Sequence, residues 1–209
     1  MYEDISVLNK FLQICDLIKP EMSIEVGAFD AEFSRQVNAP EKYAYEANPY
    51  VYEHFYPLPN INYVNMAISD YDGSALIGIE SLQEPIQGHF SIKARTDRQI
   101  DPNNLLGTSC ARLDTLHKTD KTIALWIDCE GANREVLLGA ENLLNTVACI
   151  VIETEHFPFW EDQWLHEDVL KYIRSKGFKL FLYTPYGENQ ANCIFVHNKY
   201  WDLVCTAQI

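Results

Sequence analysis

The chain has 209 residues, 47% of them hydrophobic and 12% aromatic, with nine Gly and nine Pro. That is the size of one ordinary domain over 1–209, and it is too apolar and too varied for a disordered or fibrous chain. Sixteen Lys plus Arg against 30 Asp plus Glu leave a net charge of −14, which opposes duplex DNA, structured RNA and anionic bilayers as partners, because each needs a basic surface.

Residues Ile5 to Ile18 place apolar groups at Leu8, Phe11, Leu12, Cys15 and Ile18, the spacing of an amphipathic helix that Pro20 stops. Residues 1–20 therefore read as an N-terminal helix. Met22 to Val26 is strand-like, Gly27 turns the chain, and a helical pattern runs through Phe33 and Val37 to Pro40. Lys42 to Glu46 predicts a second strand, closed by Asn48-Pro49, with a helix turn over Tyr50 to Phe55. Ile61 to Ile68 predicts a third strand, and Gly73 to Ile79 a further one after the Asp72-Gly73 turn signal. From Ser81 to Asn104 regularity is lost, and residues 81–112 are expected to form an excursion from the sheet on the substrate side.

Ile123 to Ile127 is a continuous apolar run of the kind found in a central parallel strand buried on both faces. A helix is predicted from Asn133 to Leu144, then a buried strand from Ala148 to Ile152 and an aromatic loop from His156 to Trp164. Glu167 to Lys176 reads as a helix ended by Gly177. Lys179 to Tyr183 and Cys193 to Val196, with a turn near Tyr186-Gly187, read as a closing antiparallel hairpin. Strands alternating with helices predict an α/β fold whose mostly parallel sheet carries helices on both faces, ending in an antiparallel edge. In that architecture ligands bind at the carboxyl ends of the strands.

Three strand ends carry chemistry. Glu25-Val26-Gly27-Ala28 puts small residues after strand one, where backbone can approach a ligand, an acid can hold an ammonium, and the next helix offers its N-terminus to an anion. The bland alternative is a tight turn. Glu46 closes strand two, nineteen positions after Gly27, where such folds place an acid on ribose hydroxyls; the alternative is a solvated loop acid. Asp128-Cys129-Glu130-Gly131 follows the most apolar strand, and its two carboxylates suit ligand orientation, base catalysis, a divalent ion or a helix cap.

These residues carry a resemblance. Glu25-Val-Gly-Ala, Tyr45-Glu-Ala-Asn-Pro49, Ala67-Ile-Ser69, Leu113-Asp-Thr-Leu116 and Ile127-Asp-Cys-Glu-Gly-Ala132 with Glu135-Val-Leu-Leu-Gly-Ala140 resemble, in order and spacing, the FkbM family of S-adenosylmethionine-dependent methyltransferases. The resemblance spans Met22 to Glu153. It implies a class I methyltransferase (Rossmann-like) sandwich, a seven-stranded sheet with the last strand antiparallel, S-adenosylmethionine as cofactor, and O-methylation of a sugar or other small hydroxylated acceptor. By position it implies that Glu25, Gly27 and Ala28 line the methionine part, Glu46 holds the ribose, Ala67, Ile68 and Ser69 flank the adenine, and Asp128 and Glu130 form the reaction face. Phe29 and Ala31 stand where the family usually has Asn and Gly, and Ala47 where Pro is common, so Phe29 and Ala47 border the cofactor as departures.

Methyl transfer needs alignment and exclusion of water, and a base only for an acceptor hydroxyl of high pKa. Glu130, Glu153 and His156 are the candidate bases, His156 having a backbone-bonded loop histidine as its alternative. His156-Phe-Pro-Phe-Trp160 with Trp164 suits an apolar wall over an acceptor, core packing or a subunit contact, while His89, Lys93, Arg95 and Arg98 are possible acceptor contacts or a solvated loop. No metal is required. Two rivals remain: a catalytically silent binding protein, which Phe29 keeps in play, and a nicotinamide-dependent oxidoreductase, which should show G-x-G-x-x-G. No apolar run reaches about 18 residues and the start, Met-Tyr-Glu-Asp, lacks a basic n-region, so a cytoplasmic protein is expected. The six cysteines show neither Cys-x-x-Cys nor zinc-ligand spacing and read as reduced, mostly buried thiols.

Overall fold

A computed structural model describes residues 2–86, 88 and 90–207. Its main sheet has seven strands: β1 (Met22–Val26), β2 (Glu41–Glu46), β3 (Asn62–Asn65), β7 (Ile123–Ile127), β8 (Val147–Glu155), β9 (Phe178–Tyr186) and β10 (Gln190–His197). The spatial order is β3-β2-β1-β7-β8-β10-β9. The chain moves outward from β1 to β3 and then returns to lay β7 against the free side of β1, with Met22–Val26 in parallel register on both Glu41–Tyr45 and Ile123–Ile127. The reversal of direction opens a crevice at the carboxyl ends of β1 and β7, the switch point where α/β sheets take ligands.

Alternation within the strands divides the core between the two faces. Ile24, Leu125, Ile150 and Phe195 meet α4 (Leu113–Leu116), α5 (Asn133–Gly139) and α6 (His166–Ser175) through Leu113, Val136, Leu137, Val169 and Ile173. Ala124, Cys149, Val151 and Ile194 meet α1 (Tyr2–Ile18), α2 (Glu32–Gln36) and α7 (Trp201–Thr206) through Phe11, Ile14, Phe33 and Val204. A helix α3 (Pro49–Phe55), whose N-cap Asn48 accepts the Tyr50 N–H, covers the β2–β3 end with Tyr52 and Phe55. This is the expected three-layer α/β sandwich with its antiparallel last strand.

Four details depart from expectation. The run 61–68 is not one strand: β3 ends where the Asn65 side chain donates to the Glu46 and Ala47 carbonyls, and Ala67–Ile68 crosses as β4 into a second sheet. That sheet, of order β4-β6-β5, joins β5 (Gly73–Gly78) to β6 (Leu105–Ala111), so the last part of the excursion assigned to 81–112 is a strand. The helix expected to reach Leu144 stops at Gly139, and a 3₁₀ turn spans Leu143–Asn145. Finally, β10 is not the sheet edge. Its buried run Ala191 to Val196 slots antiparallel between β8 and β9, leaving the less buried β9 outside.

One buried polar pair ties the flank of the sheet together. Tyr45 on β2 shares a 2.7 Å hydrogen bond with the His117 Nε2, and the His117 ring lies edge-on to Tyr43 at 4.7 Å. Burial pushes the His117 imidazole down from 6.5 to about 4, so the folded chain holds it neutral. As pH falls through that window the unfolded chain binds the proton first, and stability falls with it. The stability difference between wild type and His117→Gln should change by up to ~3 kcal/mol between pH 7 and pH 4, measured by urea unfolding; a pH-independent difference refutes a neutral buried imidazole.

Candidate active site

The first turn after β1 is dictated by a close approach. Gly27 has φ +73°, and a Cβ there would lie 1.7 Å from the Asp128 carbonyl oxygen. The Gly27 and Ala28 N–H groups donate to the Tyr45 carbonyl, and the Asp128 N–H donates to that of Val26. The glycine therefore admits the tip of β7, where a ligand had been the expected beneficiary. Phe29 (φ +45°) and Ala31 (φ +58°) follow in the left-handed region, where Asn and Gly sit most easily. Strain of about 1 kcal/mol at Ala31 is offset by burial of its methyl among Ala28, Ala44 and Tyr63. The Phe29 ring lies edge-on to Phe55 at 5.3 Å, and the Tyr63 hydroxyl donates to its carbonyl.

Two buried carboxyls organise this loop. Glu25 accepts the N–H groups of Phe33 (3.3 Å) and Ser34 (2.8 Å), and burial raises its pKa to about 7. The N-terminus of α2 is thus capped from within, contrary to the expectation that it greets an anionic ligand; that also removes the cradle a dinucleotide diphosphate would need. Glu46, 7% exposed, accepts the N–H groups of Phe29 (2.9 Å) and Asn48 (2.7 Å), with its pKa raised by burial. It is no solvated loop acid. The Asn48 side chain donates to the Pro85 carbonyl and so anchors the start of the excursion.

A cleft opens between these strand ends. Gly27, Phe29, Glu46, Ala47, Ala67 and Ile68 line it together with Asp128 and Glu130, and Met66, Ile77, Phe90 and Ile92 complete an apolar side that sequence reasoning had not singled out. A second, roomier lobe shares Gly27, Phe29, Asp128 and Glu130 with it, and adds Glu25, Ala28, Glu153, Trp126, Tyr186 and Asn192. Neither Asp128 nor Glu130 is a helix cap: α5 starts at Asn133 with Ala132 at its cap. Glu153 is steadied by the Gln190 side chain at 2.7 Å.

Some expected residues lie elsewhere. His156 is not among the residues lining either lobe; its Nε2 meets the Tyr183 hydroxyl at 3.0 Å and its ring lies 4.6 Å from that of His166. Ser69 is fully buried behind the cleft, its N–H donating to Ala111. Lys93 pairs with Glu135, Arg95 with Asp97 and Arg98 with Glu80, and none of the three lines the two lobes. His89 lies outside the described residues. The aromatic run divides: Trp160, 3% exposed, covers Gly131 and Trp164 meets Tyr172 at 5.0 Å, while Phe157 stays 48% exposed, and none of the run lines either lobe.

The excursion instead forms a strap. Thr96 bonds the Phe159 and Pro158 carbonyls, the Glu161 N–H reaches Ala94, Lys93 reaches Asp162, and the Arg95 guanidinium lies 4.9 Å over Trp160. The Ser91 hydroxyl donates to the Glu130 carbonyl at 2.6 Å, tying strap to strand tip. Glu155, which sequence reasoning missed because it lies past the apolar run, is 1% exposed behind this tip, and burial, with Glu130 and Asp128 nearby, raises its pKa to about 7. Among the described residues no group of three His, Cys, Asp or Glu is arranged to hold a metal, and no helix is long and apolar enough to cross a membrane.

The profile described as the Methyltransferase FkbM domain matches residues 25–180, well over half of the chain. The chain belongs to the FkbM methyltransferase family. It is thereby an S-adenosylmethionine-dependent methyltransferase, and S-adenosylmethionine is its cofactor. No curated protein sequence matches this family member significantly. Solved structures similar to it include S-adenosylmethionine-bound magnesium protoporphyrin IX methyltransferase from Synechocystis PCC 6803, at 8% identity and TM-score 0.47 over 93% of this chain and 82% of that one. Another is an S-adenosylmethionine-dependent methyltransferase from Clostridium acetobutylicum ATCC 824, at 7% identity and TM-score 0.42 over 90% of this chain and 91% of that one.

Replacing Gly27 by Ala should force apart the tips of β1 and β7 in this family member. A loss of about 1–3 kcal/mol is expected in thermal or urea unfolding, and unchanged stability would refute the contact with Asp128.

Proposed function

We propose that this methyltransferase methylates a hydroxyl of a small hydroxylated molecule such as a sugar. One observation carries the reading: an apolar cleft holding the buried Glu46 carboxyl runs directly into a polar lobe, with Asp128 and Glu130 on the wall of both. The residues fit the cofactor. Met66, Ile68, Ile77 and Ile92 suit a base, Glu46 has its backbone bonds on one oxygen each and retains acceptor capacity for a ribose diol, and Asp128 suits the methionine ammonium. When bound, the cofactor supplies an electrophilic methyl group on a sulfonium.

What the chain itself contributes is placement, dryness and a proton acceptor. The strap residues Phe90, Ser91 and Ile92 line the cleft and shield its interior from water. Asp128 and Glu130 both border the two lobes; with Asp128 given to the methionine ammonium, we assign Glu130 the hydroxyl proton, with Glu153 orienting the acceptor from the second lobe alone. His156, engaged with Tyr183 and His166, has no part in this scheme.

Removing the Glu46 carboxylate by Glu46→Gln should weaken binding of S-adenosylmethionine and of its demethylated product by tenfold or more, the loss of about 1.5–3 kcal/mol expected for a charge-assisted hydrogen bond. Titration calorimetry measures it, with circular dichroism confirming the fold and Glu46→Ala as the stronger variant. Undiminished affinity in both overturns the ribose assignment.

A further inference from the structure

The backbone that carries Glu130 is held in an unfavourable conformation. The turn Cys129-Glu130-Gly131-Ala132 is closed by the Ala132 N–H donating to the Cys129 carbonyl at 3.0 Å, and both central residues are left-handed, Glu130 at φ +39° and Gly131 at φ +74°. Turns with that backbone favour Gly, Asn and Asp at their centre. Gly131 meets the demand, and a Cβ there would lie 2.2 Å from the Trp160 ring. Glu130 has neither the freedom of glycine nor the short side chain of Asn. A residue of its type stays left-handed only where its surroundings hold it, and such outliers gather at functional sites.

The hold comes from the strap. The Ser91 hydroxyl donates to the Glu130 carbonyl at 2.6 Å and accepts the Lys93 N–H at 3.1 Å. A hydroxyl has one proton and a carbonyl can only accept, so the direction of the first bond is fixed. Ser91 is itself tied to the second sheet, where its own carbonyl accepts the Gly78 N–H of β5 at 3.3 Å, and it is 5% exposed. One residue thus joins the second sheet to the tip of β7, and it lines the cleft beside Glu130. Because a peptide is planar and only φ and ψ turn freely, the orientation of the Glu130 carbonyl also directs its Cβ. A backbone released from the left-handed region would carry the carboxylate away from the wall that the two lobes share.

We propose, resting on the reading of Glu130 as the proton acceptor, that Ser91 is its positioning residue. The serine hydroxyl keeps the Glu130 peptide in its left-handed conformation and so aims the carboxylate at the junction of the two lobes, where methyl transfer takes place in that reading.

The test compares S-adenosylmethionine with S-adenosylhomocysteine, which lacks the methyl group and the sulfonium charge. A carboxylate aimed at the reacting groups favours the charged ligand, so the ratio of the two dissociation constants reads its placement without an acceptor. Titration calorimetry on the full chain at low salt measures that ratio. Glu130→Gln should shift it against S-adenosylmethionine by about threefold or more. Ser91→Ala should shift it the same way by about twofold or more, and should add nothing to Glu130→Gln in the double variant. Ser91→Thr, which keeps the hydroxyl, should restore the wild-type ratio. A serine that only supports the fold would weaken both ligands together. A ratio unmoved by Ser91→Ala, or moved equally with and without the Glu130 carboxylate, overturns the proposal. Amide hydrogen exchange over residues 129–132 of the unloaded chain checks the hold on the turn itself. Ser91→Ala should speed it by about tenfold or more while β1 and β7 keep their protection, and unchanged exchange in the turn also overturns the proposal. If Glu130→Gln leaves the ratio unaltered, it is the placing of Glu130 at the reacting groups that fails, and the exchange measurement alone decides whether Ser91 holds the turn.

Discussion

The tips of β1 and β7 touch backbone to backbone, with the Gly27 α-carbon against the Asp128 carbonyl, and the rest of the site follows from that contact. It places the first loop beside the Asp128-Cys129-Glu130 turn, so that one short segment of each borders both lobes. A side chain at position 27 would separate the two strands at the point where the sheet reverses direction. Glu46 then completes the arrangement from the next strand by taking the Phe29 and Asn48 amides, which fixes the loop from its far side.

Charge in this site serves two different ends. Glu25 and Glu46 are buried carboxyls used by the backbone, each accepting two amide N–H groups in place of water, an arrangement that compensates much of the cost of burial. Asp128, Glu130 and Glu153 have more exposure and face the cavity. The division explains how an acidic loop can be rigid and still present carboxylates to a ligand. It also separates this fold from dinucleotide binders, in which the amides that Glu25 occupies would face a diphosphate.

The strand ends were legible because burial on both faces leaves continuous apolar runs, as in Ile123 to Ile127, and because small residues and acids follow them. The second sheet was not. In β6 burial alternates, but Thr108 and Cys110 take the buried positions while Leu105 is exposed, so the alternation is not one of hydrophobicity that the sequence displays. The break at Met66 was equally hidden, since it depends on the Asn65 side chain meeting two distant carbonyls. Of the residues expected around a cofactor, Gly27, Phe29, Glu46, Ala47, Ala67, Ile68 and Asp128 do meet at one cleft, while its apolar side, from Met66, Ile77, Phe90 and Ile92, came from segments whose pairing is tertiary. His156 does follow directly on the carboxyl end of β8, which runs three residues past Ile152, but its side chain turns toward Tyr183.

The strap from Ser91 to Thr96 is joined to its anchor across 62 to 69 residues of sequence, through Thr96 with Pro158 and Lys93 with Asp162. Closing so long a loop costs entropy before any contact returns it. The inner ties of the same segment are shorter: Asn48 with Pro85 and Ser91 with Glu130 close 37 and 39 residues. The part of the excursion that lines the cleft is therefore held by residues up to the tip of β7, and only its outer stretch, Lys93 to Thr96, depends on the segment after β8.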